Sequence, residues 1–299
     1  MQGLNHKIAL YPGCSLEGSS SSYDISLDRV LEILRIRPEV LKDWNCCGAT
    51  AAHALNRKLY LGLNLRNLAL AEAQGFSEIL APCASCYHRL ASVNFELQQD
   101  PDLRAELNRE AGLNYQGWVR VRNLLDLLAR VQDEDGIAPH VRRPLAGLRV
   151  ACYYGCLNTR IPRMECFDNR ENPSSMERVV GALGAEPIDW SYKTECCGAS
   201  LFISAEKVSA KLVARILQDA VARKADLIAV ACPLCQNNLD TKQKEIREQF
   251  GIERPLPVLF ITQLMGLAFG LGDHELGMRQ NFVPFQRENR TAETRRRGE

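Results

Sequence analysis

The chain has 299 residues, of which 46% are hydrophobic and 24% charged, and its net charge is +1. That balance fits a soluble globular protein with room for two compact domains, and it gives no electrostatic reason to expect nucleic acid as a partner. No window approaches 18 consecutive apolar residues, and the start MQGLNHKIALYPGC lacks the pattern of a signal peptide, so the expected location is cytoplasmic.

In chain order, an aliphatic run in KIALYPGC predicts a strand ending at Cys14. The serine run Ser19 to Ser22 reads as a cap or a flexible loop before a helix over 25–36. A weaker strand candidate at 40–45 leads to Cys46 and Cys47, and a helical pattern fills 52–74. SEILAPCASC predicts a second strand ending at Cys83, followed by a helix over 87–98. The segment 132–147, polar with two prolines and two glycines, reads as the connector between halves. LRVACYYGC repeats the strand-to-cysteine pattern at Cys156. A helix over 176–183, a weak strand over 186–195 and a helix over 205–224 follow. LIAVACPLC then runs into a helix over 235–250. Alternating strands and helices in both halves predict an α/β fold: two pseudo-symmetric Rossmann-like domains with mostly parallel sheets. The expected domains span 1–142 and 143–284, with a disordered tail over 285–299.

Twelve cysteines are too many to leave to packing, and a reducing compartment disfavours disulfides. Ten of them form two ordered series. Cys14, Cys46 with Cys47, and Cys83 with Cys86 make the first; Cys156, Cys196 with Cys197, and Cys232 with Cys235 make the second. The gap from the first cysteine to the pair is 31 residues in one series and 39 in the other, and the gap from the pair to Cys-x-x-Cys is 35 and 34. Matched flanks (Tyr-x-Gly-Cys, Cys-Cys-Gly-Ala) complete an internal duplication. In open α/β sheets the loops at the carboxyl ends of strands converge on one crevice, so three distant cysteine loops in each half are expected to meet.

Five sulfurs per half exceed the four of a structural zinc site, and adjacent cysteines chelate a single tetrahedral ion poorly. Metal-free dithiol chemistry at Cys-x-x-Cys leaves three cysteines of each half idle. An iron–sulfur core suits the pattern better, because iron favours thiolate and a polynuclear core accepts ligands from several loops. Ligand counting alone does not choose between a cubane cluster with a spare thiol and a larger, non-cubane one. The ferredoxin run C-x2-C-x2-C-x3-C-P is absent from the sequence.

The doubled arrangement resembles the cysteine-rich (CCG) signature of the B-type subunit of heterodisulfide reductase, over about residues 7–265. VACYYGCLNTR and DNRENPSSMERVVGALGAEPIDW carry further likeness, and the second copy differs only by a slightly short loop. Chain length favours the stand-alone B-type subunit over single-copy relatives. The resemblance implies two 4Fe-4S clusters of non-cubane type. One would be held by Cys14, Cys46, Cys47, Cys83 and Cys86, and the other by Cys156, Cys196, Cys197, Cys232 and Cys235. It also implies a ferredoxin-like iron–sulfur subunit (C-type) and a flavoprotein subunit (A-type) as partners. The substrate would be a disulfide, a persulfide or a carrier-bound sulfur, as in methanogens or in the related complex of sulfur-oxidising bacteria.

Outside the motifs, Cys152 reads as a small buried residue of a strand and Cys166 as a non-ligand. His53 reads as a surface or packing histidine. The leading expectation is a thiol–disulfide oxidoreductase subunit acting through its clusters. A non-catalytic subunit passing electrons to a partner or a quinone is the alternative, and a zinc scaffold the third.

Overall fold

The computed structural model describes residues 7–49, 52–160 and 166–286. The first half runs β1 (Ile8–Leu10), α1 (Ser21–Ile33), β2 (Glu39–Val40), α2 (Ala52–Leu55), α3 (Arg57–Ala73), β3 (Glu78–Leu80), α4 (Ala84–Gln99), α5 (Pro101–Ala111), β4 (Arg120–Arg122) and α6 (Leu124–Glu134). The second half runs β5 (Arg149–Tyr153), α7 (Ser175–Ala182), β6 (Glu186–Pro187), α8 (Glu206–Ala222), β7 (Leu227–Val230), α9 (Pro233–Asp240), α10 (Gln243–Phe250), β8 (Val258–Phe260) and α11 (Ile261–Phe269).

Both sheets are four-stranded and parallel throughout. Their orders, β2-β1-β3-β4 and β6-β5-β7-β8, are the same permutation. The fold expected from the sequence, two pseudo-symmetric Rossmann-like halves, is what the chain adopts. The central strands β1, β3, β5 and β7 are short apolar runs because helices cover both faces, which leaves them almost wholly buried.

The two halves share one core. Helices α1 and α11 pack together, as do α6 and α7, so each half contributes two helices to a layer between the sheets. A continuous apolar cluster runs through this layer from Leu27, Val30 and Leu128 to Val180, Leu264 and Phe260. A second cluster, around Leu65, Leu68, Leu90 and Tyr115, backs the outer face of the first sheet. The connecting segment is tied down: Ile137 and Leu145 are buried, and the N–H groups of Arg142 and Arg143 both donate to the carbonyl of Ala268.

Several boundaries differ from the sequence reading. Helix α1 begins inside the serine run, with Ser20 at its N-cap and a π-helical turn over Ser15–Ser19 before it. The expected helix over 52–74 is interrupted at Asn56, whose side chain accepts from Leu59 N–H and caps α3. The one over 235–250 breaks at Thr241 and Lys242 between α9 and α10. Helices α5, α6 and α11 are additions, the first capped by Asp100 and the second by Asn123. Of the expected tail, Phe285 packs against the shared core and residues 287–299 lie outside the described residues.

Candidate metal centre

The ten motif cysteines sit on loops at the carboxyl ends of β1, β3, β5 and β7 and in the segments that follow β2 and β6. Cys83 is the N-cap of α4 and Cys232 the N-cap of α9, which puts Cys86 and Cys235 in the first turns. Unpaired N–H groups and the positive end of the helix dipole there favour thiolate.

Each set forms a cup with a buried floor. Cys47, Cys83 and Cys86 are buried, while Cys14 and Cys46 stand exposed at the rim. Cys197, Cys232 and Cys235 are the matching floor, with Cys156 half-buried and Cys196 exposed. The Sγ atoms of Cys47 and Cys86 lie 3.5 Å apart, and those of Cys197 and Cys235 lie 3.6 Å apart. Gly48 N–H donates to Cys46 Sγ at 3.4 Å and Gly198 N–H to Cys196 Sγ at 3.3 Å. Cys83 and Cys232 face each other across the seam between halves, close enough for each to alter the proton affinity of the other. The buried floors of the two cups thus adjoin at Cys83 and Cys232.

Two tyrosines brace the cups in the same way. Tyr11 donates from its hydroxyl to the carbonyl of Asn45 at 2.7 Å, and Tyr153 to that of Glu195 at 2.6 Å, just before each Cys-Cys pair. Burial first, and then the surrounding cysteine sulfurs, keep both phenols protonated. Tyr23 lies between the cups, its hydroxyl 3.4 Å from Pro82 O and 3.5 Å from Ala231 O. Asn64 Nδ2 donates to Cys47 O at 3.1 Å, and Asn238 Nδ2 to Cys197 O at 2.6 Å. The repeated Tyr-x-Gly-Cys flank is a sequence signal for Tyr11 and Tyr153. No local pattern marks Tyr23, Asn64 or Asn238, whose roles depend on contacts between distant segments.

One sulfur of the first cup and two of the second are disposed to ionise; in the second, the hydrogen bonds shared with Cys235 and then Cys83 bring Cys232 well below the usual thiol range. The hydrogen bond shared with Cys86, then the Ala49 N–H and the charge of Arg89, bring Cys47 down to about 7. The hydrogen bond shared with Cys156, helped by Gly198 N–H, brings Cys196 down to about 6. Cys86 and Cys235 are held as thiols, chiefly through their hydrogen bonds with Cys47 and Cys197.

Among the described residues, no three cysteine, histidine, aspartate or glutamate side chains close on a point that would hold a single ion. The donor set nonetheless fits a polynuclear iron–sulfur core: five soft sulfurs per cup, backbone N–H groups aimed at sulfur, and bare glycine backbone at the floor. A Cβ on Gly13, whose φ is +63°, would lie 2.9 Å from Cys86 Sγ. A Cβ on Gly155, at φ +69°, would lie 3.0 Å from Cys235 Sγ. Only glycine leaves that space open.

Cys152 and Cys166 are outside both cups. Cys152 is fully buried in β5, its carbonyl accepting from Trp190 Nε1–H, and burial pushes its thiol up. Cys166 is half-buried, its thiol likewise raised by burial. His53 lies exposed on α2, near His88.

Against known proteins, the cysteine-rich domain (CCG) family model matches residues 8–91 and again 150–240. The chain is 32% identical over 283 residues to the 8-methylmenaquinol:fumarate reductase membrane anchor subunit of Wolinella succinogenes, covering 94% of this chain and 98% of that protein. It is 31% identical to the B-type subunit of the ferredoxin/F420H2-dependent CoB-CoM heterodisulfide reductase of Methanosarcina acetivorans, with 93% and 94% covered. A crystal structure of a hypothetical protein from Helicobacter pylori shares the fold with a TM-score of 0.75 at 14% identity, covering 95% of this chain and 53% of that one. The chain belongs to the CCG cysteine-rich domain family, as a tandem-domain protein akin to the B-type subunits of heterodisulfide reductases.

Proposed function

We propose that this chain is the cluster-bearing subunit of a heterodisulfide reductase-like complex, with one non-cubane 4Fe-4S cluster in each cup, acting on a disulfide, persulfide or carrier-bound sulfur. The observation that carries the reading is the pair of five-sulfur cups joined at Cys83 and Cys232. A pair of bound clusters would supply one-electron steps and iron with affinity for sulfur. The chain's own part is to hold ten thiolates in two rigid sets, to aim N–H groups at them, and to keep the floors dry. Two sites that adjoin at Cys83 and Cys232 suit a substrate that splits into two sulfur fragments.

Partners in this reading are an iron–sulfur C-type subunit and a flavoprotein A-type subunit, in keeping with relatives that are named as subunits of heterodisulfide reductases. The domains divide at the connector, 1–142 from 143–284, and the location is cytoplasmic.

A second reading, electron transfer to a partner or a quinone without sulfur catalysis, is favoured by the relative named for an 8-methylmenaquinol:fumarate reductase membrane anchor. No helix among the described residues is long and apolar enough to cross a membrane.

Anaerobic purification with iron and sulfide analysis and electron paramagnetic resonance tests both. Two signals are expected, and Cys47→Ala and Cys197→Ala each remove one of them. A spectrum that responds to added thiol or disulfide supports the sulfur reading, whereas an indifferent one favours the relay. Retention of both clusters in either variant overturns the assignment of ligands.

A further inference from the structure

The two cups differ at one pair of corresponding positions. Gly48 and Gly198 correspond, and the Cβ each lacks would meet Leu63 in the first half and Leu212 in the second. On that register Tyr60 corresponds to Ser209. Counting from the second cysteine of each Cys-x-x-Cys, Arg89 corresponds to Asn238.

In the second half this pair is spent on structure. Asn238 contacts Ser209 Oγ at 3.3 Å and donates to Cys197 O. In the first half Asn64 reaches from α3 to Cys47 O instead, which releases the α4 position for a cation. Arg89 fills it, with its guanidinium carbon 5.9 Å from the centroid of the Tyr60 ring.

Arg89 makes no ion pair with a carboxylate among the described residues, and its Nε is buried with no hydrogen-bond partner. A desolvated guanidinium N–H without an acceptor is costly, and an anion drawn to the same guanidinium offsets that cost. The charge of Arg89 also reaches Cys47 on the floor of the cup.

We infer that Arg89, stacked on Tyr60 at the first cup, binds the anionic group of a thiol or disulfide substrate, a carboxylate, sulfonate or phosphate. The second cup, with neutral Asn238 in that place, has no such preference. The inference rests on the sulfur-substrate reading and adds a charge class and a side to it.

Three thiols with the same two-carbon spacer form the probe: 3-mercaptopropionate, 2-mercaptoethanol and cysteamine. Each is titrated anaerobically into the cluster-loaded chain, and the concentration that half-perturbs the paramagnetic spectrum is read. 3-Mercaptopropionate is expected to act at a concentration at least tenfold lower than 2-mercaptoethanol, with cysteamine weakest. Arg89→Gln brings the potency of 3-mercaptopropionate to that of 2-mercaptoethanol measured on the same variant; Arg89→Lys keeps part of the advantage. Iron content and melting temperature confirm that each variant is loaded and folded. Equal potency of the three thiols, or an advantage that persists in Arg89→Gln, overturns the role of Arg89 and leaves the sulfur reading standing. If no thiol perturbs the spectrum, the sulfur reading itself falls and the anion site with it.

Discussion

The ring of Tyr23 stacks face to face on that of Phe260, with centroids 4.2 Å apart and an interplanar angle of 3°. Tyr23 belongs to α1 of the first half, and Phe260 ends β8 of the second. The same tyrosine places its hydroxyl between the carbonyls of Pro82 and Ala231, the residues that precede Cys83 and Cys232. One side chain therefore fixes both the packing of the halves and the spacing of the two Cys-x-x-Cys loops. Tyr23→Ala is expected to destabilise the chain by about 3–5 kcal/mol, the range for deleting a buried aromatic ring, and to lower iron content. Tyr23→Phe keeps the stack and loses only long hydrogen bonds, at about 1 kcal/mol. Thermal unfolding and iron analysis separate the two, and equal losses would mean that the stack contributes nothing.

Gly13→Ala and Gly155→Ala form a second, mirrored pair. Both glycines have positive φ, and the added methyl would press on Cys86 Sγ or Cys235 Sγ. Each variant is expected to lose the iron of its own cup and to keep that of the other, as read by iron content and the paramagnetic spectrum. Gly62, in α3 with open space around it, supplies the control: Gly62→Ala adds about 0.5–1 kcal/mol of stability and leaves iron unchanged. Loss of both signals in either cup variant would show that the cups load only together.

What the sequence displayed follows from burial. β1, β3, β5 and β7 are aliphatic runs ending at cysteines, so strands and motifs were legible together. β4, Arg120-Val121-Arg122, hides because Arg120 stays exposed while Arg122 reaches partners within the fold, Glu78 at 2.9 Å and Asp126 at 2.7 Å. α11 is apolar on every side because it lies within the shared core, which erases the helical period. α6 borders the polar connector but buries Leu124, Leu125, Leu127, Leu128 and Val131 against the second half. β2 and β6, two residues each at sheet edges, carry almost no pattern. The meeting of Cys83 with Cys232 depends on how the halves dock, and no spacing within either half encodes it.

Beneath the second cup lies an ion pair with no counterpart among the described residues of the first half. Lys193 Nζ is 2.8 Å from Glu177 Oε1, with both side chains largely buried, and Tyr154 hydrogen-bonds the other carboxylate oxygen. Lys193 also donates to Asn172 Oδ1 at 3.1 Å, and its carbonyl accepts from Tyr154 and Gly155 N–H beside Cys156. The corresponding residue ahead of the first Cys-Cys pair, Asp43, is exposed. Lys193→Met leaves a buried carboxylate unpaired and is expected to cost about 3–5 kcal/mol. Adding Glu177→Gln to it recovers part of the loss, because no uncompensated charge remains. Chemical denaturation of the two variants checks this, and a double variant weaker than the single one would contradict it.

Asp240 governs how stability follows pH at the C-terminal segment. Its carboxylate accepts from the N–H groups of Phe282 at 2.7 Å and Val283 at 3.0 Å and from Gln236 Nε2 at 3.0 Å. Burial outweighs those bonds and raises its pKa from 3.8 to about 6. A raised value means that the folded chain binds the proton more tightly than the unfolded one. The stabilisation is therefore complete below about 3.8 and is lost as pH rises through about 6, by up to about 3 kcal/mol. In Asp240→Asn that part of the pH dependence disappears, while the loss of an acceptor costs about 1 kcal/mol at every pH. The measurement is the difference between wild-type and variant melting profiles from pH 4 to pH 7, which cancels groups common to both. The wild-type chain should lose stability relative to the variant across pH 4 to 6, and parallel profiles would rule Asp240 out as the titrating group.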